Sequence, residues 1–281
     1  MFEQLLGFFQ DHYAVVDIHR VLDASNGVRA LPDHALLITF DDGWADNLRY
    51  AAPLLKARGM PAVIFVAAEA VQASSPAWWQ EEVFAVSRSG GLAGWLAQHR
   101  NHARVMGTAS NGAADDAIDV VTRLALMDAG ARESILASLP RKPCHARMML
   151  TTDELRRLTD FGIAVGLHGY RHVPLTSLTD AAAELANARE ALAGLSAGAA
   201  VTTALGCPHG RYDDKVIAAA RAVGIKLVFT SDKVLNATQQ GMLGPARPLG
   251  RIGIAAAQIE SAPNCLDPAA ASRWLWPRDC R

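Results

Sequence analysis

A chain of 281 residues, 51% of them hydrophobic, is long enough to bury one large core and does not require a second domain. With 27 Lys and Arg against 28 Asp and Glu, its net charge of −1 excludes recruitment of nucleic acid or of an anionic membrane by bulk electrostatics. The opening MFEQLLGFFQDHY lacks a basic n-region, a long apolar run and a small-residue cleavage site, and no later run reaches membrane-spanning length, so the expectation is a cytoplasmic protein without a transmembrane segment.

In chain order, the first strong signal is ALLITF, residues 35–40, whose apolar and β-favouring residues predict a buried strand. ADNLRYAAPLLKARG then predicts a helix with Leu48, Ala52 and Leu55 on one face and a stop at Gly59 and Pro61. AVIFVAA (62–68) predicts the next strand. From about 76 to 145 the character changes. PAWWQEEVFAVSRSGGLAGWLAQHR and DDAIDVVTRLALMDAGARESILASLP read as two or three helices joined by MGTASNGAA, a helical insertion over one rim of a single domain spanning 1–281. TTDELRRLTDFG opens with Thr151 and Glu154 in capping-box spacing and ends at Gly162. Strands IAVGL (163–167), AVTTAL (200–205) and IKLVF (225–229) then alternate with the helices DAAAELANAREALAGL and DDKVIAAARAVG. Such alternation predicts an α/β fold with parallel strands covered by helices, as an open sheet or a barrel. Cys144, Cys207, Cys265 and Cys280 have no CxxC spacing and read as free thiols; a Cys265–Cys280 bridge would require an oxidising compartment.

Parallel α/β folds bind ligands at the C-terminal ends of their strands, and three polar clusters fall there. Asp41 and Asp42 end ALLITF, LHGYRHVP follows IAVGL, and LGCPHGRYDD follows AVTTAL. His168 and His172, four residues apart, are spaced so that two imidazoles reach one cation, and a carboxylate from another segment completes a three-ligand site with room for water. Gly169 stands where HExxH would place its glutamate, so the base has to come from elsewhere. Adjacent aspartates supply both needs: one ligates the cation, offsetting their mutual repulsion, while the other takes a proton from the activated water. Taken singly, a DDG tripeptide is more often a solvated turn, and an HxxxH pair more often surface or satisfied core. Joint placement at strand ends favours the site.

TFDDG, then HGYRH followed by VPL, then CPHGRYDD resemble in order and spacing the motifs of the polysaccharide deacetylases of NodB-homology type, carbohydrate esterase family 4. The resemblance runs from about Phe2 to Ile254, interrupted mainly by the helical insertion. It implies a distorted (β/α) barrel of about seven strands and metal-dependent hydrolysis of acetyl groups, N-acetyl foremost, on an amino sugar or glycan. Carried over, Asp41 is the catalytic base, and Asp42, His168 and His172 are the metal ligands. Pro208, His209, Gly210 and Tyr170 face substrate or oxyanion, with a backbone N–H near His209 as donor. One divalent ion is implied, zinc by the family's usual assignment; two histidines and one carboxylate also suit cobalt or nickel, with manganese possible, and disfavour magnesium.

Two departures stand out. Gly206 replaces an arginine that in many members contacts the catalytic aspartate, leaving Arg211 or Arg251 to approach from elsewhere. No histidine follows His209, so the family's late-motif acid is absent; Asp41 returns the proton itself, His209 stands in, or activity is low. RPLGRIGI offers only arginines, which are poor acids. Trp78 and Trp79 read either as a sugar platform or as packing; Asp46 as a site residue or a first-turn carboxylate; Tyr170 and Arg171 as substrate-facing or loop packing. Asp213 or Asp214 is the expected cap of the following helix, and His99, His102 and His145 read as surface. A dehalogenase-type phosphotransferase needs two carboxylates separated by one residue, which Asp41 and Asp42 are not. A catalytically silent carbohydrate-binding protein that keeps the metal site is the other alternative.

Overall fold

The computed structural model describes residues 1–72, 78–98, 117–140, 147–195, 201–244 and 247–275. MGTASNGAA, His99, His102, His145, Cys144 and Cys280 lie outside these residues; Cys207 and Cys265 are free thiols.

A parallel sheet of five strands, β3 (Ile38–Phe40), β4 (Ala62–Val66), β5 (Ile163–Leu167), β6 (Val201–Gly206) and β7 (Leu227–Phe229), runs in chain order and curls into a half-barrel. ALLITF is divided at Leu37: its first half, β2 (Ala35–Leu36), pairs in parallel with β1 (Ala14–Val15), while the second half opens the main sheet. At the other edge Leu249 makes an isolated parallel bridge to Phe229. All five residues of β4 are buried, as a strand covered on both faces requires. The period-two alternation divides them between two cores. Ala62, Ile64 and Val66 pack towards the covering helices, and Val63 and Phe65 pack against Leu227, Phe229 and Leu249 on the concave side.

The helices are α1 (Phe2–His12), α2 (Ile18–Ser25), α3 (Ala52–Ala57), α4 (Ala68–Gln72), α5 (Trp79–Arg88), α6 (Gly91–Gln98), α7 (Ala117–Ala125), α8 (Ala129–Leu136), α9 (Thr152–Arg157), α10 (Ala181–Leu195) and α11 (Asp214–Ala222), followed by α12 (Ala256–Ile259) and α13 (Pro268–Leu275). Leu48, Ala52 and Leu55 are buried on one face, but Asn47–Ala51 forms wider π-type turns ahead of α3. Pro53 contributes no N–H to an i→i−4 ladder, and the widened turn absorbs that gap. Thr151 and Glu154 form the expected capping box of α9, whose last turns are 3₁₀ and stop at Gly162 in left-handed conformation. Asp213, rather than Asp214, caps α11 by accepting from Val216 N–H.

Within about 76–145 four helices, α5 to α8, are described where two or three were expected. They have their own apolar cluster, including Val83, Trp95, Val120, Leu124 and Ile135. Trp78, 3% exposed, joins this segment to the body through Ala67, Ala70 and Met149, so it packs rather than offering a platform. Among the described residues no helix is long and apolar enough to cross a membrane.

Candidate active site

The C-terminal ends of β3, β5 and β6 bring the three polar clusters together. After β3 the chain turns sharply: Asp42 sits at φ 70° and Gly43 at φ 94°, and Ala67 N–H donates to the Asp42 carbonyl across the end of β4. A Cβ on Gly43 would lie 3.2 Å from Val66, so both its φ and its neighbours favour glycine. His172 at φ 53° and His209 at φ 55° are also left-handed, a conformation non-glycine residues hold only where their surroundings impose it.

This backbone aims three side chains at one point. His172 Nε2 lies 3.2 Å and His168 Nε2 3.4 Å from Asp42 Oδ1. One ligand atom from each of the three residues falls within 4.8 Å of the others. The remaining donors and acceptors are engaged. Trp44 Nε1–H donates to Asp42 Oδ2 at 2.9 Å. His168 Nδ1 is 2.7 Å from the Gly206 carbonyl, which can only accept, so Nδ1 carries a proton and Nε2 is the nitrogen turned to Asp42. His172 Nδ1 is 2.8 Å from Gln80 Nε2 on α5, an NH₂ that can only donate, so in this arrangement Nδ1 accepts. Two imidazole nitrogens and one carboxylate oxygen, each backed by a second hydrogen-bonded group, fit a divalent cation of borderline softness.

Electrostatics favour that use at Asp42 and His172, while at His168 a cation would have to displace a proton. Burial opposes ionisation of Asp42, but His172, His168 and the Trp44 bond outweigh it and hold the carboxyl well below the usual range. Burial pushes His172 down to about 3, leaving a neutral imidazole. Burial also presses down on His168, but Asp41 and Asp42 beside it win and raise it. The Cys207 thiol, buried behind the site, is pushed up to about 12 and is inert.

Asp41 occupies a different environment. Arg251, reaching across from the late RPLGRIGI segment, binds it bidentately, Nη1 to Oδ1 at 2.6 Å and Nη2 to Oδ2 at 2.8 Å. The guanidinium is itself aimed by the Thr230 carbonyl, 3.0 Å from Nε, and lies 5.4 Å from the Phe65 ring centre. Gly206 explains why the arginine comes from here: a Cβ at that position would fall 2.8 Å from the Phe65 ring, so the third motif has no space for a side chain. Of the two arginines open in the sequence, Arg251 makes the contact, whereas Arg211 is exposed.

His209 stacks beside His172, ring centres 4.6 Å apart, and its Nε2 points at the His172 carbonyl at 3.3 Å. Pro208 is buried, and Gly210 N–H is bonded to the Cys207 carbonyl. Tyr170 and Arg171 are tied into the loop: both backbone N–H groups donate to Glu184 Oε1, Arg171 pairs with Glu184 Oε2, and the Tyr170 hydroxyl donates to Gln72. Asp46 is exposed in its helical turn.

Trp44, Gln80 and Glu184 escaped the sequence reading. Trp44 could have been noticed as part of DDGW; the amide of Gln80 and the carboxylate of Glu184 lie far along the chain from the groups they hold and carry no local signal.

A parallel α/β half-barrel thus carries at its strand ends a two-histidine, one-carboxylate group that could hold a metal ion, beside an arginine-held aspartate. The sequence matches the family model for polysaccharide deacetylase over residues 29–228, and the chain belongs to that family. No curated protein matches it by sequence. Similar solved structures include the Streptococcus pyogenes deacetylase PplD in complex with acetate, at 16% identity and TM-score 0.59 over 98% of this chain and 86% of that one. IcaB from Ammonifex degensii aligns at 18% identity and TM-score 0.57 over 98% and 87%. The BpsB deacetylase domain from Bordetella bronchiseptica aligns at 16% identity and TM-score 0.53 over 88% and 82%. At these identities the structures speak to fold, and the fold is that of the NodB deacetylases. Family membership supports deacetylation of glycans, and the Asp42, His168 and His172 group supports use of a divalent metal.

Proposed function

We propose that this chain is a metal-dependent hydrolase that removes acetyl groups, N-acetyl foremost, from an amino sugar or glycan, with Asp41 as base. The observation that carries the reading is the division of labour between adjacent carboxylates: Asp42 faces two histidine Nε2 atoms, and Asp41 faces away, held by Arg251. Asp42, His168 and His172 would hold the ion, with zinc the first choice and cobalt, nickel or manganese as substitutes. When bound, the ion supplies Lewis acidity at the acetyl carbonyl and makes water a stronger nucleophile.

Asp41 takes the proton of the attacking water, its carboxylate plane set by the two parallel bonds from Arg251. The oxyanion falls to the backbone N–H of His209, since Gly210 N–H is already bonded to Cys207. Burial lowers His209 towards the neutral form, and its Nε2–H is directed at the His172 carbonyl. We therefore assign return of the proton to the leaving amine to Asp41 itself, which closes the cycle without the late-motif histidine.

Metal analysis paired with acetate release from acetylated monosaccharides, nucleotide sugars and oligosaccharides tests the reading. Purified protein should carry about one divalent ion per chain and release acetate, and Asp41→Asn should keep the ion while losing on the order of 10²–10⁴-fold in turnover. An Asp41→Asn protein with full activity removes Asp41 as base. The missing histidine after His209 favours one second reading, a silent carbohydrate-binding protein that retains the ion. Bound metal without acetate release from any of these substrates would select it.

A further inference from the structure

We propose that Gln80 is a positioning residue for the metal ligand His172, which makes helix α5 part of the metal centre. The inference rests on the metal reading of Asp42, His168 and His172 above. Each histidine turns Nε2 towards Asp42 Oδ1, and each therefore needs its Nδ1 satisfied where water is excluded. For His168 the partner is a backbone carbonyl of the sheet, at Gly206. For His172 it is the amide of Gln80, 92 residues away in sequence and only 1% exposed. A buried amide without a partner is costly, and this one spends its bond on the ring that faces the cation site. Trp78 closes the same ring from another side, its ring centre 5.8 Å away.

The helix that delivers Gln80 is itself anchored. Glu81, fully buried, accepts from Met148 N–H at 2.7 Å and Met149 N–H at 2.9 Å through Oε1, and from Trp78 N–H at 3.0 Å through Oε2. Three backbone donors from both ends of the segment between β4 and β5 thus converge on the residue next to Gln80. Shifting the start of α5, and Gln80 with it, would break these bonds.

The residue type matters as well. A carbonyl, as at Gly206, only accepts, and so enforces one tautomer. A carboxamide both accepts and donates. It can take the proton of Nδ1–H when Nε2 gives its lone pair to a cation, or donate to bare Nδ1 when Nε2–H faces Asp42. In the arrangement seen, Gln80 Nε2–H donates to bare Nδ1, and rotation of the amide presents Oε1 to Nδ1–H when Nε2 gives its lone pair, whereas the Gly206 carbonyl beside His168 can only accept.

Titrating the metal-free full chain with Co²⁺, followed by its visible absorption, and with Zn²⁺ by calorimetry tests this. Gln80→Met, near-isosteric and apolar, is expected to weaken both affinities about tenfold to hundredfold. Gln80→Glu keeps an acceptor for Nδ1–H and is expected to restore binding. In the zinc-loaded wild type, imidazole NMR should show a solvent-protected Nδ1–H on His172, a readout that does not depend on the variants folding. Unchanged affinity in Gln80→Met, binding in Gln80→Glu as weak as in Gln80→Met, or a His172 without that proton would overturn the inference. Wild-type protein that takes up neither ion would instead overturn the metal reading beneath it.

Discussion

Asp41 and His172 are each held by a side chain that the main sheet does not supply, but the two grips differ in kind. Arg251 arrives from the late segment beyond β7 and holds Asp41 by a charged, bidentate pair on the more open side, where the carboxylate is 36% exposed. Gln80 arrives from the helices between β4 and β5 and holds His172 by one neutral bond on the closed side, where the ring is 8% exposed. A base that must meet water and substrate stays accessible, so its orientation has to come from a strong directional partner. A metal ligand is better enclosed, and there a charged partner would carry a larger desolvation cost than an amide. The same division separates the anchors behind each grip: Thr230 aims Arg251 with a single carbonyl, whereas Glu81 fixes α5 with three backbone N–H groups.

The open grip is where a substitution should show most in catalysis. Arg251→Lys keeps the charge but not the fork, and kcat/KM for acetate release is expected to fall on the order of 10²-fold with metal content unchanged, since a small misplacement of a catalytic group is costly. A lysine variant with wild-type kcat/KM would show that charge alone suffices. On the closed side the larger effect should be on stability. Glu81→Gln places an amide NH₂ among three N–H donors and is expected to cost about 1–3 kcal/mol in urea unfolding. It should weaken Zn²⁺ binding alongside, because α5 carries Gln80; an equally stable variant with loosened metal affinity would separate the anchor from the fold.

The last prediction is a pH slope in the metal-free protein. His172 is depressed by burial to about 3 from its ordinary 6.5. Between those values the unfolded chain binds a proton that the folded chain refuses, so stability falls as pH drops through that window. His168, raised by Asp41 and Asp42 against the effect of burial, works in the opposite sense: its proton adds stability below 6.5, which is lost as pH rises through its higher folded value. The urea midpoint of chelator-treated protein should decline from about pH 6 towards pH 4, and less so in His172→Gln. A level midpoint in the wild type would mean that His172 takes up its proton while folded.

Much of this site could be read along the chain because its parts are local. A strand end followed by two aspartates and a glycine, an HxxxH pair after another strand, and a proline turn after a third are each short, and the parallel α/β rule places all three at one rim. The strands were legible for the same reason: β4, β5 and β7 lie inside the apolar runs that mark them, and capping chemistry at Thr151, Glu154 and Asp213 needs only neighbours three residues away. Trp78 was ambiguous, since a tryptophan at a helix start looks the same whether it faces sugar or core; its burial against Met149 decides for packing.

Strand period and motif order thus determined that the chain is α/β with parallel strands and which polar clusters lie at the strand ends, because those properties are written within a few residues of each other. Only the tertiary structure decided how the side chains are held. Phe65 occupies the space a side chain at Gly206 would need, so the arginine comes from Arg251, 45 residues later. The partner of His172 is set by where α5 crosses the strand ends, a distance in space with no counterpart in sequence spacing.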